Sequence, residues 1–220
     1  MAKPSFWPLL LFALVSIACK AKTPIISEPF SEDFERAEVG PGWLNTGGEY
    51  AVKDGKLNVT RAHNHPLWLR RKLPRDVVVE LDVMSKGMDP STNRFKGDSK
   101  IELFGDGESY DPDTPFNAYF PSGYVFVFGG WNNSNSIIGR KGEHDDLAKV
   151  QRPGPTMEPG RTYKWKITRK GSQIDWLVDG QPFLSWNDPE PLAGEGQEYL
   201  GINAFDSDVW FDNLRIAPAP

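Results

Sequence analysis

The sequence predicts an all-β protein built as an antiparallel sandwich of two sheets. Three observations favour this class: short alternating apolar and polar runs recur along the chain, turn residues separate them, and no helical pattern of convincing length appears. The chain has 220 residues, enough to bury one substantial β core. No internal repeat and no linker indicates a second domain.

The N-terminal segment resembles a bacterial export signal. Lys3 precedes an apolar run of 13 residues that is short for a membrane span but suits a signal core. The run ends at Cys19, the only cysteine of the chain, and the junction resembles a lipobox, in which the thiol is acylated. We therefore expect a signal peptide at 1–18, lipidation at Cys19 and a tether at 19–30. The alternative is an ordinary signal peptide with an incidental cysteine.

These features predict an exported protein that is held at a bacterial membrane by its lipid anchor. Lys20 follows the cysteine and permits delivery to the outer membrane or the cell surface. The formal net charge is −5, which argues against a nucleic acid partner.

Residues 31–217 carry the strand signals of the predicted sandwich domain. Within 49–60, Asp54-Gly55 separates two alternating runs, a strong hairpin pattern. Further alternating runs follow at 66–73, 77–84, 99–105 and 162–171.

The later part of the chain continues the same pattern. Residues 123–131 are apolar on both faces and predict a central strand, and 172–186 form a second hairpin around Asp179-Gly180. The loop 106–122 is long for a structureless connection, and such loops are usually functional or mobile.

Four stretches in order carry a family resemblance: "EDFER" followed by Trp43, "YAVKDGKLNV", "WLVDGQPF" and "VWFDNLRIA". They span nearly all of residues 30–217 and are similar to the concanavalin A-like lectin/glucanase sandwiches, in particular to bacterial domains related to 3-keto-disaccharide hydrolases and laminarinase-like glucanases. The resemblance implies an antiparallel two-sheet jelly-roll sandwich in which sugars bind across one concave sheet.

Strand 77–84 places Glu80 and Asp82 on one face. In laminarinase-like enzymes a Glu-x-Asp-x-(x)-Glu strand supplies the nucleophile, a supporting aspartate and the acid/base. Here Met84 and Ser85 stand where the last glutamate would be. Retaining hydrolysis needs two carboxyl groups about 5–5.5 Å apart, so Glu102 on a neighbouring strand is a candidate second carboxyl group.

Three interpretations of these acids stay open. In an enzyme, Glu80, Asp82 and Glu102 would be catalytic; in a binding protein, they would accept hydrogen bonds from sugar hydroxyls. The third interpretation is an ordinary polar strand face paired with Arg70 or Lys100.

We favour carbohydrate binding on the concave face. Sugars stack on aromatic rings while amide, carboxylate and guanidinium groups bind their hydroxyls. The expected ligand-binding residues are Trp68, Arg70, Glu80, Asp82, Glu102, Tyr124, Trp131 and Asn132. The alternatives are a glycoside hydrolase-like enzyme, with a glycoside or a 3-keto glycoside as its substrate, and a non-catalytic envelope protein that contacts another protein.

Two metal sites are considered. The resemblance implies a structural calcium ion that joins the two ends of the domain through Asp33 and Asp212, because calcium prefers carboxylate oxygens. His63, His65 and His144 are a weaker alternative for a transition metal. No other cofactor is expected.

Overall fold

The computed structural model describes residues 23–89, 94–108 and 121–220. They form two antiparallel sheets packed face to face, so the predicted all-β sandwich is confirmed. None of the helices in these ranges has the length and apolar character needed to cross a bilayer. Cys19, the predicted signal peptide and most of the loop 106–122 lie outside the described residues.

The strand bounds within these ranges are as follows: β1 (Phe30–Glu32), β2 (Trp43–Asn45), β3 (Tyr50–Lys53), β4 (Lys56–Val59), β5 (Leu67–Leu69), β6 (Val77–Ser85), β7 (Gly87–Asp89), β8 (Arg94–Lys96), β9 (Ser99–Gly105), β10 (Tyr124–Gly129), β11 (Asn135–Arg140), β12 (Lys149–Pro153), β13 (Thr162–Lys170), β14 (Gln173–Val178), β15 (Gln181–Asn187), β16 (Tyr199–Ala204) and β17 (Val209–Pro218). One short helical turn, α1 (Gly130–Asn133), connects β10 to β11.

Strands distant in sequence are neighbours in each sheet. Sheet 1 has the order β15-β14-β13-β6-β17-β4-β3, with β1 paired to β17. Sheet 2 has the order β12-β11-β10-β9-β16-β5-β2, and β7 pairs with β8 in a separate ribbon. The chain therefore places β6 in the middle of sheet 1 and β9 in the middle of sheet 2.

The inner faces of the two sheets share one apolar core. Because side chains alternate along a strand, Val79 and Leu81 of β6 point inward against Ile101 and Leu103 of β9. Polar residues at the intervening positions of β6 and β9 consequently lie on the two opposite outer faces of the sandwich.

Both predicted hairpins are confirmed. Asp54 and Gly55 connect β3 to β4 with φ values of 51° and 68°, and Asp179 and Gly180 connect β14 to β15 with 51° and 75°. Positive φ at both central residues is typical of the turn that matches strand twist, and it explains the Asp-Gly pair.

The central strand predicted at 123–131 is observed as β10 over Tyr124–Gly129, whereas Gly130 and Trp131 belong to α1. Phe126 points into the core, whereas Val125 and Val127 pack with Ile137 on the outer face of sheet 2, and all four are buried. The outer face of sheet 2 is therefore covered over part of its area, unlike a solvated sheet face.

Candidate functional site

Glu80 and Asp82 lie on the outer face of sheet 1. Lys166 Nζ is 3.0 Å from Glu80 Oε1, and Lys164 Nζ is 3.1 Å from Asp82 Oδ1. Both lysines belong to β13 and stand directly opposite these acids in the register. The acids thus pair across strands with lysines of β13, rather than with Arg70 or Lys100, in a ladder open to solvent.

Glu102 and Trp68 lie on the outer face of the opposite sheet. Gly201 of β16 stands between them in the register, paired with Trp68 on one side and Glu102 on the other. A Cβ atom at Gly201 would come within 2.9 Å of the Trp68 indole, and one at Gly105 within 2.3 Å. The Trp68 indole therefore packs against two positions where only glycine fits, and it is 1% exposed.

Glu102 is held by donors from the two residues that precede β10. Its Oε1 accepts hydrogen bonds from Gly123 N at 2.6 Å and from Ser122 Oγ at 2.9 Å. The side chain is 1% exposed. A carboxylate buried in this way has a fixed position, which a group that orients a ligand requires.

Lys100, two residues before Glu102 on the same face of β9, joins two acids. Its Nζ is 2.9 Å from Glu143 Oε1, 3.4 Å from Asp98 Oδ2 and 2.9 Å from Asn64 Oδ1. The lysine is 2% exposed, and Glu143 is also buried. One ammonium group is thus shared by two carboxylates away from bulk water.

The pKa values of Asp98 and Lys100 depart from their ordinary ranges. Burial raises the pKa of the Asp98 carboxyl group to about 6, the negative charge of Glu143 adds to that rise, and Lys100 opposes it. Burial lowers the pKa of Lys100, but the carboxylates of Asp98 and Glu143 raise it by more, so its net shift is upward. Lys100 is accordingly a fixed cation between the two carboxylates.

The turn α1 beside this cluster has an unusual backbone. Trp131, Asn132 and Asn133 have φ values of 50°, 61° and 61°, so three consecutive residues other than glycine are left-handed. Such a conformation costs roughly 1–2 kcal/mol per residue. Asn133 holds it in place, because its Oδ1 accepts hydrogen bonds from Thr156 N and Met157 N, each at 3.0 Å.

The strained turn exposes an aromatic pair at the rim of the charged cluster. Trp131 is 40% exposed, and its ring meets that of His144 edge to face at 5.8 Å between centroids. His144 directly follows Glu143 in the chain, and a Cβ atom at Gly130 would lie 3.3 Å from Asp98 Oδ1. We call this assembly the sheet 2 site: Asp98, Lys100, Trp131, Glu143 and His144.

The structure brings together only part of the predicted ligand-binding set. Glu102 and Trp68 share the outer face of sheet 2 with the sheet 2 site, and Asn132 is exposed beside Trp131. Glu80 and Asp82 lie on the opposite side of the sandwich.

Two further predicted residues lie elsewhere. Tyr124 faces the core, where its hydroxyl donates a hydrogen bond to Asp188 Oδ2 at 2.6 Å, and burial raises its pKa. Arg70 is exposed just after β5, where its backbone N–H donates to Gly42 O at 2.8 Å.

The two predicted metal sites have no supporting cluster in the described parts of the chain, where no group of three or more His, Cys, Asp or Glu side chains is arranged to hold an ion. Asp212 pairs with Lys56, and Asp33 accepts a hydrogen bond from Glu35 N at 3.1 Å. The calcium site stays a prediction. His65 Nδ1 lies 2.9 Å from Thr46 O, and His144 packs on Trp131.

The sequence reasoning missed Asp98, Lys100 and Glu143 as parts of a site. The available signal was the run "SKIELFG", in which lysine and glutamate alternate with apolar residues on a strand next to the apolar strand 123–131. Charged side chains beside such a strand are candidates for a buried cluster, but the partner Glu143 is too distant in sequence to be paired with Lys100 by pattern.

Several solved structures are similar to this chain in fold. The carbohydrate-binding module CBM66 from Bacillus subtilis has 15% identity and a TM-score of 0.53, and the match covers 87% of this chain and 99% of that one. The carbohydrate recognition domain of Emp47p has 11% identity and a TM-score of 0.61, with 91% and 97% covered.

A β-1,3-1,4-glucanase (lichenase) from a mouse hindgut metagenome has 13% identity and a TM-score of 0.53, with 87% of this chain and 100% of that one covered. At these identities the similarity shows the fold alone. The chain has the concanavalin A-like lectin/glucanase fold, which confirms the predicted resemblance.

Known protein sequences do not assign this chain to a family. The family described as "Farnesoic acid 0-methyl transferase" matches residues 119–214, which is less than half of the chain. No curated protein matches the chain in sequence.

Proposed function

We propose that this protein binds carbohydrate on the outer face of sheet 2, at the rim of the sheet 2 site. The observation that carries the proposal is the position of an exposed Trp131–His144 ring pair directly beside the buried Lys100 cluster. The rings offer an apolar surface for the C–H face of a sugar, and Asn132 offers hydrogen-bonding groups beside them.

The energetic cost of this region supports a functional role. A buried ion cluster stabilises a fold less than apolar residues of the same volume would, and a left-handed run of three residues is strained. Two costly features at one position of one sheet indicate selection for something other than stability. On the outer face of sheet 1, by contrast, Glu80 and Asp82 pair with lysines whose side chains are exposed to solvent.

Similarity of fold agrees with this class of ligand. The carbohydrate-binding module and the carbohydrate recognition domain similar to this chain are named for sugar binding. A fold hosts many functions, so the weight of the proposal rests on the site.

Titration calorimetry against a panel of oligosaccharides tests the proposal. Trp131→Ala should weaken binding about tenfold or more, equivalent to about 1.4 kcal/mol, because the stacking surface is lost. Glu80→Gln is the matched control on sheet 1 and should bind as the wild type does. Equal affinities of wild type and Trp131→Ala for every sugar that binds would contradict the proposal.

A glycoside hydrolase-like activity is the second candidate, favoured by Asp98. A carboxyl group with a pKa of about 6 is suited to donate a proton near neutral pH, and Glu143 lies on the other side of the same ammonium group. Sugar release from the panel, lost in Asp98→Asn while binding persists, would support this activity. Binding without release would leave the binding function alone.

We also propose that the protein is anchored by lipid at Cys19 and acts at the cell surface, where polysaccharides are accessible. The basis is the sole cysteine at the end of the apolar N-terminal run. Cys19→Ser should move the protein from the membrane fraction to the soluble fraction and abolish labelling with a fatty acid analogue. Unchanged labelling would contradict the anchor.

A further inference from the structure

A groove lies at the open edge of the sandwich, between the sheets rather than on an outer face. It encloses about 580 Å³ where the edge strand β12 of sheet 2 approaches the edge strand β15 of sheet 1. Ligand pockets for small molecules are typically about 300–1,000 Å³, so this groove has a suitable size. It contains no residue of the sheet 2 site.

The floor of the groove is aromatic and firmly packed. Phe128 lies 5.2 Å from Phe183 and 5.1 Å from Tyr163, measured between ring centroids. Trp176 supports Phe183 from the core side at 4.9 Å. These contacts hold the rings in place before any ligand binds, which reduces the entropy lost on binding.

One arginine at the groove has no acidic partner among the described residues. The Arg152 guanidinium lies 4.9 Å above the Phe183 ring, is exposed, and forms no ion pair in that part of the chain. Arg161 on the other wall differs, because it pairs with Asp179 at 2.8 Å and with Glu158 at 3.1 Å. The groove therefore combines an apolar floor with one unneutralised cation.

We propose that this groove binds a small carboxylate whose body is apolar or rich in C–H groups. A guanidinium binds a carboxylate with two parallel hydrogen bonds, and the stacking of Arg152 on Phe183 holds its plane beside the aromatic floor. The body of the ligand then lies along Phe183 and the neighbouring Val178 and Pro182, which also line the groove. Acyl chains and acidic sugars both present this chemistry.

The test uses matched pairs of probes. Cyclohexanecarboxylate is compared with neutral cyclohexanecarboxamide, and glucuronate with neutral glucose, by calorimetry and by the tryptophan fluorescence of the full chain. Both Trp165 and Trp176 pack against the groove rings, so their emission should report on occupancy. At least one carboxylate should bind ten or more times more tightly than its neutral partner.

Substitutions locate the binding. Arg152→Gln should weaken carboxylate binding at least tenfold, and Arg152→Lys should weaken it less, since charge remains but the paired hydrogen bonds do not. Arg75→Gln, at another exposed arginine, is the control and should bind as the wild type does. Melting curves verify that each variant is folded.

Each outcome decides the proposal. Preference for cyclohexanecarboxylate indicates an acyl ligand, and preference for glucuronate indicates an acidic sugar. No carboxylate preference, or affinity unchanged in Arg152→Gln, overturns the proposal. Trp131→Ala should leave carboxylate binding intact. Failure of the groove proposal can therefore be distinguished from failure of carbohydrate binding at the sheet 2 site.

Discussion

Two strands with similar polar patterns lie in opposite environments. β6 presents Glu80 and Asp82 on the outer face of sheet 1, and β9 presents Lys100 and Glu102 on the outer face of sheet 2. Glu80 and its partner Lys166 have side chains that are 44% and 50% exposed, whereas Glu102 is 1% exposed. A similar alternation of apolar and charged residues therefore produces a solvated ladder of ion pairs in one sheet and buried charges in the other.

The difference comes from what covers each face. Lysines of β13 reach across to the acids of β6 and remain in water. On β9, the segment carrying Glu143 and the start of β10 close over the charged side chains. Charges on the first face contribute little to stability, and those on the second require specific partners.

The largest expected contrast is between two lysines. Lys100→Met should lower the free energy of unfolding by roughly 3–5 kcal/mol, because the buried carboxylates of Asp98 and Glu143 lose their shared cation. Lys166→Met, the matched change on sheet 1, should cost less than about 1 kcal/mol. Denaturant unfolding measures both, and equal losses would end the distinction between the two faces.

The next contrast is between two glutamates. Glu102→Ala should cost about 1–3 kcal/mol, since the buried Gly123 N–H and the Ser122 hydroxyl lose their acceptor. Glu80→Ala should change stability by less than about 1 kcal/mol. The same unfolding measurement applies, and a Glu80 variant that is less stable than the Glu102 variant would reverse the expected order.

A smaller effect should appear in the pH dependence of stability. Asp98 has a folded pKa of about 6 against an ordinary value of 3.8, so between these values the folded state binds more protons than the unfolded state. The contribution of Asp98 to the free energy of unfolding should therefore rise as pH falls from about 6 towards 3.8. Asp98→Asn should remove this contribution. Subtracting the variant's profile of unfolding free energy against pH from that of the wild type isolates it. Parallel profiles would contradict the shifted pKa.

The smallest expected effect concerns the ion at Asp212. Lys56 already supplies a cation to this carboxylate, so a chelator should leave the melting temperature unchanged. If the calcium predicted from the family resemblance is bound, saturation at a hundredfold excess over Kd would stabilise the fold by about 2.7 kcal/mol, and the chelator would lower the melting temperature. Asp212→Ala would then abolish that response.

Local features of the fold were predictable from the sequence because they depend on neighbouring residues. The hairpins at Asp54-Gly55 and Asp179-Gly180 follow from the preference of Asp-Gly pairs for positive φ. The residues of β13 that face the core follow from the alternation of apolar and polar residues along that strand.

The site was less predictable because it depends on which strands pair. Alternation shows that Glu80 and Asp82 share one face, but only the pairing of β6 with β13 and β17 places that face opposite to Glu102. The link between Lys100 and Glu143 likewise depends on how the chain returns over sheet 2. Long-range topology thus decides which predicted residues can meet.

Sugar binding on the outer face of sheet 2 can be observed in a complex. A crystal structure of the protein soaked with the oligosaccharide that binds best in the panel tests it most directly. We expect sugar density against the rings of Trp131 and His144, with Asn132 in hydrogen-bond reach. Density over Glu80 and Asp82 on sheet 1, with the Trp131 face empty, would contradict it.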